Sequence, residues 1–276
     1  MTKAVVKKDE AANLPALAGM YEEEANQGFE GADQESYAIP FLSIVQSLSP
    51  QRDKKDGAYI EGAEEGNVFN SATEMLWDAE DGKEPLRVIP VHFKRSFVEW
   101  APRDSGGGFI TEHTVADGKD LLKSCTRNDK NLDVLPNGNY LVDTRTHYVL
   151  IVHEDGSAEP AVINMASTQM KKSRRWMTVM NNLKMKGSGG RLFTPPMYSH
   201  YYDLSTTQES NDKGRWHGWS FKNAGVVDNE EHFAAAKGFR DAIVQGSVKE
   251  QRDGGAEGGD SGATGATGAD LEEEDF

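Results

Sequence analysis

Apolar and polar positions divide the chain into a long structured centre and two polar ends. Core-like sequence begins at Tyr37, where YAIPFLSIVQSLSP gathers Ile39, Phe41, Leu42, Ile44, Val45 and Leu48 into one segment. DKKDG (53–57) and EGAEEG (61–66) read as turns or exposed loops. LRVIPVHF (86–93) is rich in strand formers, and Pro90, with no N–H to give a ladder, demands a sheet edge or a bulge. SFVEW (96–100) continues it, PRDSGGG (102–108) turns, and FITEH (109–113) returns. The strongest strand is YLVDTRTHYVLIVH (140–153), alternating at first and continuously apolar at 149–152. EDGS (154–157) is a hairpin turn leading into AVINM (161–165).

A helix is expected next, capped by Ser167 or Thr168, with Trp176, Val179 and Leu183 at three- and four-residue spacings and GSGG (187–190) as its stop. MYSHYYDLS (197–205) and RWHGWSF (215–221) read as two strands joined by a polar loop, TTQESNDKG (206–214). A last helix is expected from Asp228, with Glu231 completing a D-x-x-E capping box and Phe233, Ala236, Phe239 and Ile243 buried. Strands, a helix after the third major strand, then a hairpin is the order of an OB-type barrel. The expected fold class is therefore mainly β with helices (α+β): an OB-like barrel with extra elements and disordered acidic termini. Three regions follow: a flexible acidic arm at 1–36 with a short helix near 14–21, an OB-like nucleic-acid-binding domain at 37–250, and a Gly-rich linker with an acidic tail at 251–276.

Charge first argues against nucleic acid, then for it. The 276 residues carry 30 Lys and Arg against 45 Asp and Glu, a formal charge of −15. Residues 1–36 hold eight acids and three bases, and residues 251–276 hold eight acids and one base, so twelve of the fifteen negative charges lie at the ends. Within the centre, residues 161–222 hold ten Lys and Arg against three acids, with eight of the 24 aromatic residues. The chain is dipolar, and its net charge hides a basic, aromatic segment.

Enzymatic signatures are missing. The sequence has no phosphate-binding loop of the G-x-x-x-x-G-K-[ST] type, no H-E-x-x-H, no G-x-S-x-G and no EF-hand loop. GSGG follows a helix and so lacks the strand-then-helix setting of a dinucleotide fingerprint. DNEEH (228–232) is better read as acids suiting a helix N-terminus than as metal ligands. The single cysteine, Cys125, excludes an internal disulfide and any zinc site built from several cysteines. The seven histidines show no ligand spacing, and no catalytic residue, cofactor or metal is expected. No apolar run approaches 18 residues and the N-terminus has no signal-like core, so the expectation is a soluble cytoplasmic protein with no membrane partner.

The basic segment is more specific. In KKSRRW, Lys171, Arg174 and Arg175 share one helical face, with Lys172 beside them. Lys184, Lys186, Arg191, Lys213 and Arg215 extend the positive field, and Trp176, Tyr198, Tyr201, Trp216 and Trp219 are the candidate rings for base stacking. Positive grooves that follow the backbone, combined with rings on which bases stack, are how single strands are bound without sequence preference. In RWHGWSF, alternation points Trp216 away from Trp219 and Phe221, so some of these rings face out while others pack.

The tail adds a second signal: Asp270, Leu271, Glu272, Glu273, Glu274, Asp275 and Phe276 set five acids around one aliphatic residue, with an aromatic residue last. Together with the Gly-rich 254–269 tether, this resembles bacteriophage single-stranded-DNA-binding proteins of the phage T7 type, which join an OB core to an acidic tail ending in Phe. That resemblance implies a protein coating DNA in replication or recombination. Its tail would recruit a replicative DNA polymerase or helicase-primase and compete with DNA for the basic groove, and self-association into a homo-oligomer is a further expectation. Two alternatives stand beside it: a strand-annealing protein of recombination, and an acidic regulator that binds a host enzyme such as RNA polymerase.

Overall fold

A computed structural model describes residues 15–25, 27–31, 39–102, 107–212, 214–248 and 250. Of the expected N-terminal arm, α1 (Pro15–Glu23) and the turns after it are described. The linker and tail at 251–276, including all seven proposed tail residues, lie outside the described residues.

The chain is mainly β with a few helices, and its large sheet curls into a half-barrel, the OB-like α+β class expected. A small antiparallel sheet comes first: β1 (Leu42–Ile44), β2 (Val68–Asn70) and β3 (Leu76–Trp77). The large sheet is built around β4 (Leu86–Trp100), which fuses the two strand segments read separately in the sequence. β5 (Phe109–His113) returns along its second half, and α2 (Val115–Leu122) follows, capped by Thr114. Two short strands, β6 (Thr126–Arg127) and β7 (Asp133–Val134), lead to β8 (Tyr140–Val152) and its hairpin partner β9 (Ala158–Ala166). Beyond α3 (Met170–Asn182) lie a miniature hairpin, β10 (Met185–Lys186) and β11 (Leu192–Phe193), and a long one, β12 (His200–Asn211) and β13 (Gly214–Val226). α4 (Glu230–Gln245) closes the fold, and Gly246, at φ 75°, ends it in the left-handed conformation that favours glycine.

The sheet runs β13-β12-β4-β8-β7-β6, with β5 also on β4 and β9 also on β8. β4 pairs with β8 along nearly its whole length, so Pro90 is not at an edge. It sits at a bulge: the register slips between Pro90 and His92, leaving Val91 as the extra residue. Alternation along β8 then sorts the core. Val149 and Ile151 pack with Trp176, Tyr202, Leu204 and Trp219 beneath α3, whereas Tyr148 and Leu150 pack with Ile89, Tyr201 and Phe239 beneath α4.

Several local expectations shift. Leu48 is 69% exposed, at a turn that the small sheet projects outward. The polar stretch 206–211 is strand, because each residue finds a ladder partner on β13 whatever its hydropathy. α3 is not capped by Ser167 or Thr168; these open a 3-10 turn, Ser167–Gln169, with no side-chain cap. Its buried stripe is Ser173, Trp176 and Met180, while Val179 is exposed. GSGG is the tip of the β10–β11 hairpin, five residues past the helix end. In α4 the cap is Asn229, whose side chain accepts from the Glu231 and His232 N–H groups, and the buried set is His232, Ala236, Phe239 and Ala242. Phe233 is exposed and Ile243 half-buried.

The open edge of β13 is closed by two buried glutamines. Gln46 accepts from the His217 N–H and donates to the His217 carbonyl, and Gln169 accepts from the Trp219 N–H. Their amides stand in for a neighbouring strand where an unpaired edge would otherwise be buried. Among the described residues no helix is long and apolar enough to cross a membrane.

Candidate nucleic-acid interface

With its apolar stripe turned to the sheet, α3 presents Lys171, Arg174 and Arg175 to solvent, as the spacing predicted. The hairpin that follows adds Lys184, Lys186 and Arg191, all exposed, and Lys184 donates to the Thr194 hydroxyl across it. On this hairpin Leu192 is 63% and Phe193 44% exposed, two apolar side chains standing among cations. Elsewhere on the sheet most cations are paired: Arg87 with Asp203, Arg95 with Asp143, Lys94 with Glu112 and Glu250, and Arg127 with Asp133. Lys171, Arg174, Arg175, Lys184, Lys186, Arg191 and Arg215 have no carboxylate partner among the described residues.

Lys172 differs from its neighbours. It is half-buried and ion-paired with Glu209, whose carboxylate also accepts from the Trp216 indole N–H at 3.1 Å. That triad fastens the β12–β13 ribbon to α3 and removes Lys172 from the free positive field. Lys213 lies outside the described residues.

The aromatic expectations need correction. Trp176 is fully buried, stacked between His147 and Phe221, with Tyr202 edge-on. Trp219 is buried in the same cluster. Tyr201 is buried on the opposite side of the sheet, its hydroxyl bonded to His232 Nδ1, and Tyr198 packs edge-on against Phe233 beside α4. Strand alternation and the two-sided core explain this: rings adjacent in sequence are delivered to different faces, and rings that close a core have no face left for a base. Of the five rings, only Trp216 remains half-exposed on the side of Lys172. Phe193 on the hairpin and Phe93 on β4 are the accessible rings that the sequence reading missed.

A further cationic group was also missed. The β4–β8 register sets Arg95 directly opposite Arg145, with Phe93 opposite His147 and Phe97 opposite Asp143. α2 covers one end of this face, its Gly118 against the Phe97 ring, and α3 covers the other, Ser173 and Trp176 against His147. Between them Arg145 is 7% exposed, and its Nη1 is buried without a partner among the described residues. Asp143 does not supply one; its two oxygens accept from Arg95, at 3.0 and 2.7 Å. Burial pushes the Arg145 guanidinium down; Asp143 opposes this, and Arg95 and Arg174 add to it. A signal was present in the sequence, because period two puts Arg145 on the same face as His147, Val149 and Ile151.

The other polar candidates are occupied structurally. Both ring nitrogens of His232 are engaged, by Tyr201 and by the Gly156 carbonyl, so DNEEH is not a ligand cluster. His217 bonds to Glu80, and Cys125 is half-buried, its thiol pushed up by burial and by Asp133. Among the described residues no group of three His, Cys, Asp or Glu is placed to hold a metal ion.

Comparison with curated proteins and with solved structures returns no match. The basic helix, its hairpin and the sheet beneath them all fall within residues 7–249, which match the sequence model of the Pam3 phage gp34-like protein, and the chain belongs to this bacteriophage protein family.

Proposed function

We propose that the protein binds single-stranded DNA during phage replication or recombination, and that its acidic segment at 270–276 recruits a replicative polymerase or helicase-primase. The observation that carries the reading is the run of cations on α3 and the β10–β11 hairpin that have no carboxylate partner among the described residues, in a chain whose net charge is −15. Exposed arginines on a helix already fixed by a buried tryptophan contact phosphates with little added ordering, and each neutralised phosphate releases counterions. Stacking falls to Phe193, Phe93 and Trp216 instead of the buried rings, and no catalytic group is required.

Anisotropy of a labelled oligo-dT tests this directly. Binding is expected at low salt with a log–log salt slope near −3.5 if about five phosphates are neutralised. Charge reversal by Arg174→Glu with Arg175→Glu, two exposed positions, should weaken it at least tenfold without lowering Tm. Failure of the protein to bind oligo-dT in low salt, with or without residues 251–276, would sink the reading. Intrinsic tryptophan quenching is a less sensitive readout here, because emission from the enclosed Trp100, Trp176 and Trp219 dilutes any quenching of Trp216.

A further inference from the structure

The geometry points to a phosphate-monoester site formed by Arg145, Arg95 and Arg174, and we propose that its occupant is the terminal phosphate of a nucleic-acid strand. The choice of a strand end rests on the DNA-binding reading above; the phosphate chemistry does not.

Buried guanidiniums are normally paired, because an unsatisfied charged donor is among the costliest groups to enclose. Arg145 is 93% buried by its 7% exposure, has a partnerless Nη1, and lies on the floor between α2 and α3. The charges facing it are one carboxylate, Asp143, and two further guanidiniums: Arg95, directly opposite it in the register, and Arg174, next to Ser173, whose hydroxyl lies 2.8 Å from His147 Nε2 two residues along β8. Three cations against one anion leave an excess of two positive charges, and both Asp143 oxygens already accept from Arg95. An internal phosphodiester carries one negative charge, whereas a phosphate monoester carries about −1.5 to −2 at pH 7 and offers three acceptor oxygens. The monoester matches the charge excess, and its oxygens can accept from the buried Arg145 Nη1. Phe93, half-buried and 5.1 Å from the His147 ring, stands on the same face next to Arg95 and can receive the base nearest the phosphate.

Two measurements test the site separately from DNA binding. In the first, inorganic phosphate is titrated into the full chain while Tm is followed. Phosphate should raise Tm with saturation, and chloride at equal ionic strength should not; Arg145→Gln and the exposed Arg174→Gln should each abolish the rise. In the second, oligo-dT bearing a 5′-phosphate, a 3′-phosphate or only hydroxyl ends is compared by competition. One phosphorylated end should bind about tenfold tighter than the hydroxyl form, a preference lost in Arg174→Gln. A phosphate-dependent Tm rise without end preference overturns the strand end as occupant and keeps the phosphate site. No Tm response to phosphate and no end preference overturn the site itself, even if oligo-dT binds.

Discussion

His147 is enclosed by Trp176, Phe93 and Ser173, one ring nitrogen bonded to the Ser173 hydroxyl at 2.8 Å. Burial, helped by Arg145, pushes its pKa down from 6.5 to about 3. The folded protein therefore refuses a proton that the unfolded chain accepts. Above pH 6.5 both states are neutral and the group has no effect. As the pH falls from 6.5 towards 3, the unfolded state alone is protonated and stability drops, by about 1.4 kcal/mol per pH unit from this residue. Urea unfolding across that range should show a shallower pH dependence for His147→Gln than for the natural sequence; identical slopes would contradict the assignment. At this scale much was legible. Lys171, Arg174 and Arg175 face solvent because spacing on a helix is a local property. Trp176 was misassigned because its environment is made by His147 and Phe221, distant in sequence.

Elements are positioned here by close contacts that propensity does not report. α2 was not anticipated; its eight residues, VADGKDLL, carry a glycine that weakens any helical reading. The structure explains that glycine. A Cβ on Gly118 would lie 2.2 Å from the Phe97 ring, so the helix rests directly on β4. Gly118→Ala should cost about 1–3 kcal/mol despite its better helix propensity, read as a lower urea midpoint with unchanged slope. A neutral or stabilising alanine would show that α2 does not sit there. The strands were easier: β8 and β9 follow from alternation and the EDGS turn, whose His153 and Ser157 backbones close the hairpin. The 206–211 stretch was not, because its polar residues hydrogen-bond through the backbone to β13 just as apolar ones would. The glutamine closure of β13 joins Gln46 to His217, residues 171 apart, a pairing that no local pattern encodes.

For the molecule as a whole, the separation of charge decides behaviour. The described fold ends at Glu250, whose carboxylate meets Lys94 at 2.6 Å and accepts from the Tyr148 hydroxyl. Register puts Lys94 and Arg95 on opposite faces, so Glu250 is held on the side of α4 and Arg95 stands with Arg145 on the side of α3. A truncation that keeps Glu250 should fold as the full chain does. If the acidic segment competes with DNA for the basic face, this truncation should bind oligo-dT several-fold more tightly at low salt, the difference shrinking as salt screens the contest. Equal affinities at low salt would argue that the acidic segment serves partners only.

By itself the sequence determined the order and type of the major strands, the exposed cations of α3, and the division of charge between centre and ends. These are local: each rests on spacing within one element or on counting within one segment. Tertiary structure alone decided which aromatic rings were spent on the core and that Arg95 stands opposite Arg145. It also decided that Lys172 is tied to Glu209 while Lys171, Arg174 and Arg175 have no carboxylate partner among the described residues. Such outcomes depend on strand register and on which faces two layers of helix cover, and both are fixed only when distant segments pack together. The −15 total is the plainest case, since its meaning depends on where in space the fold leaves cations without partners.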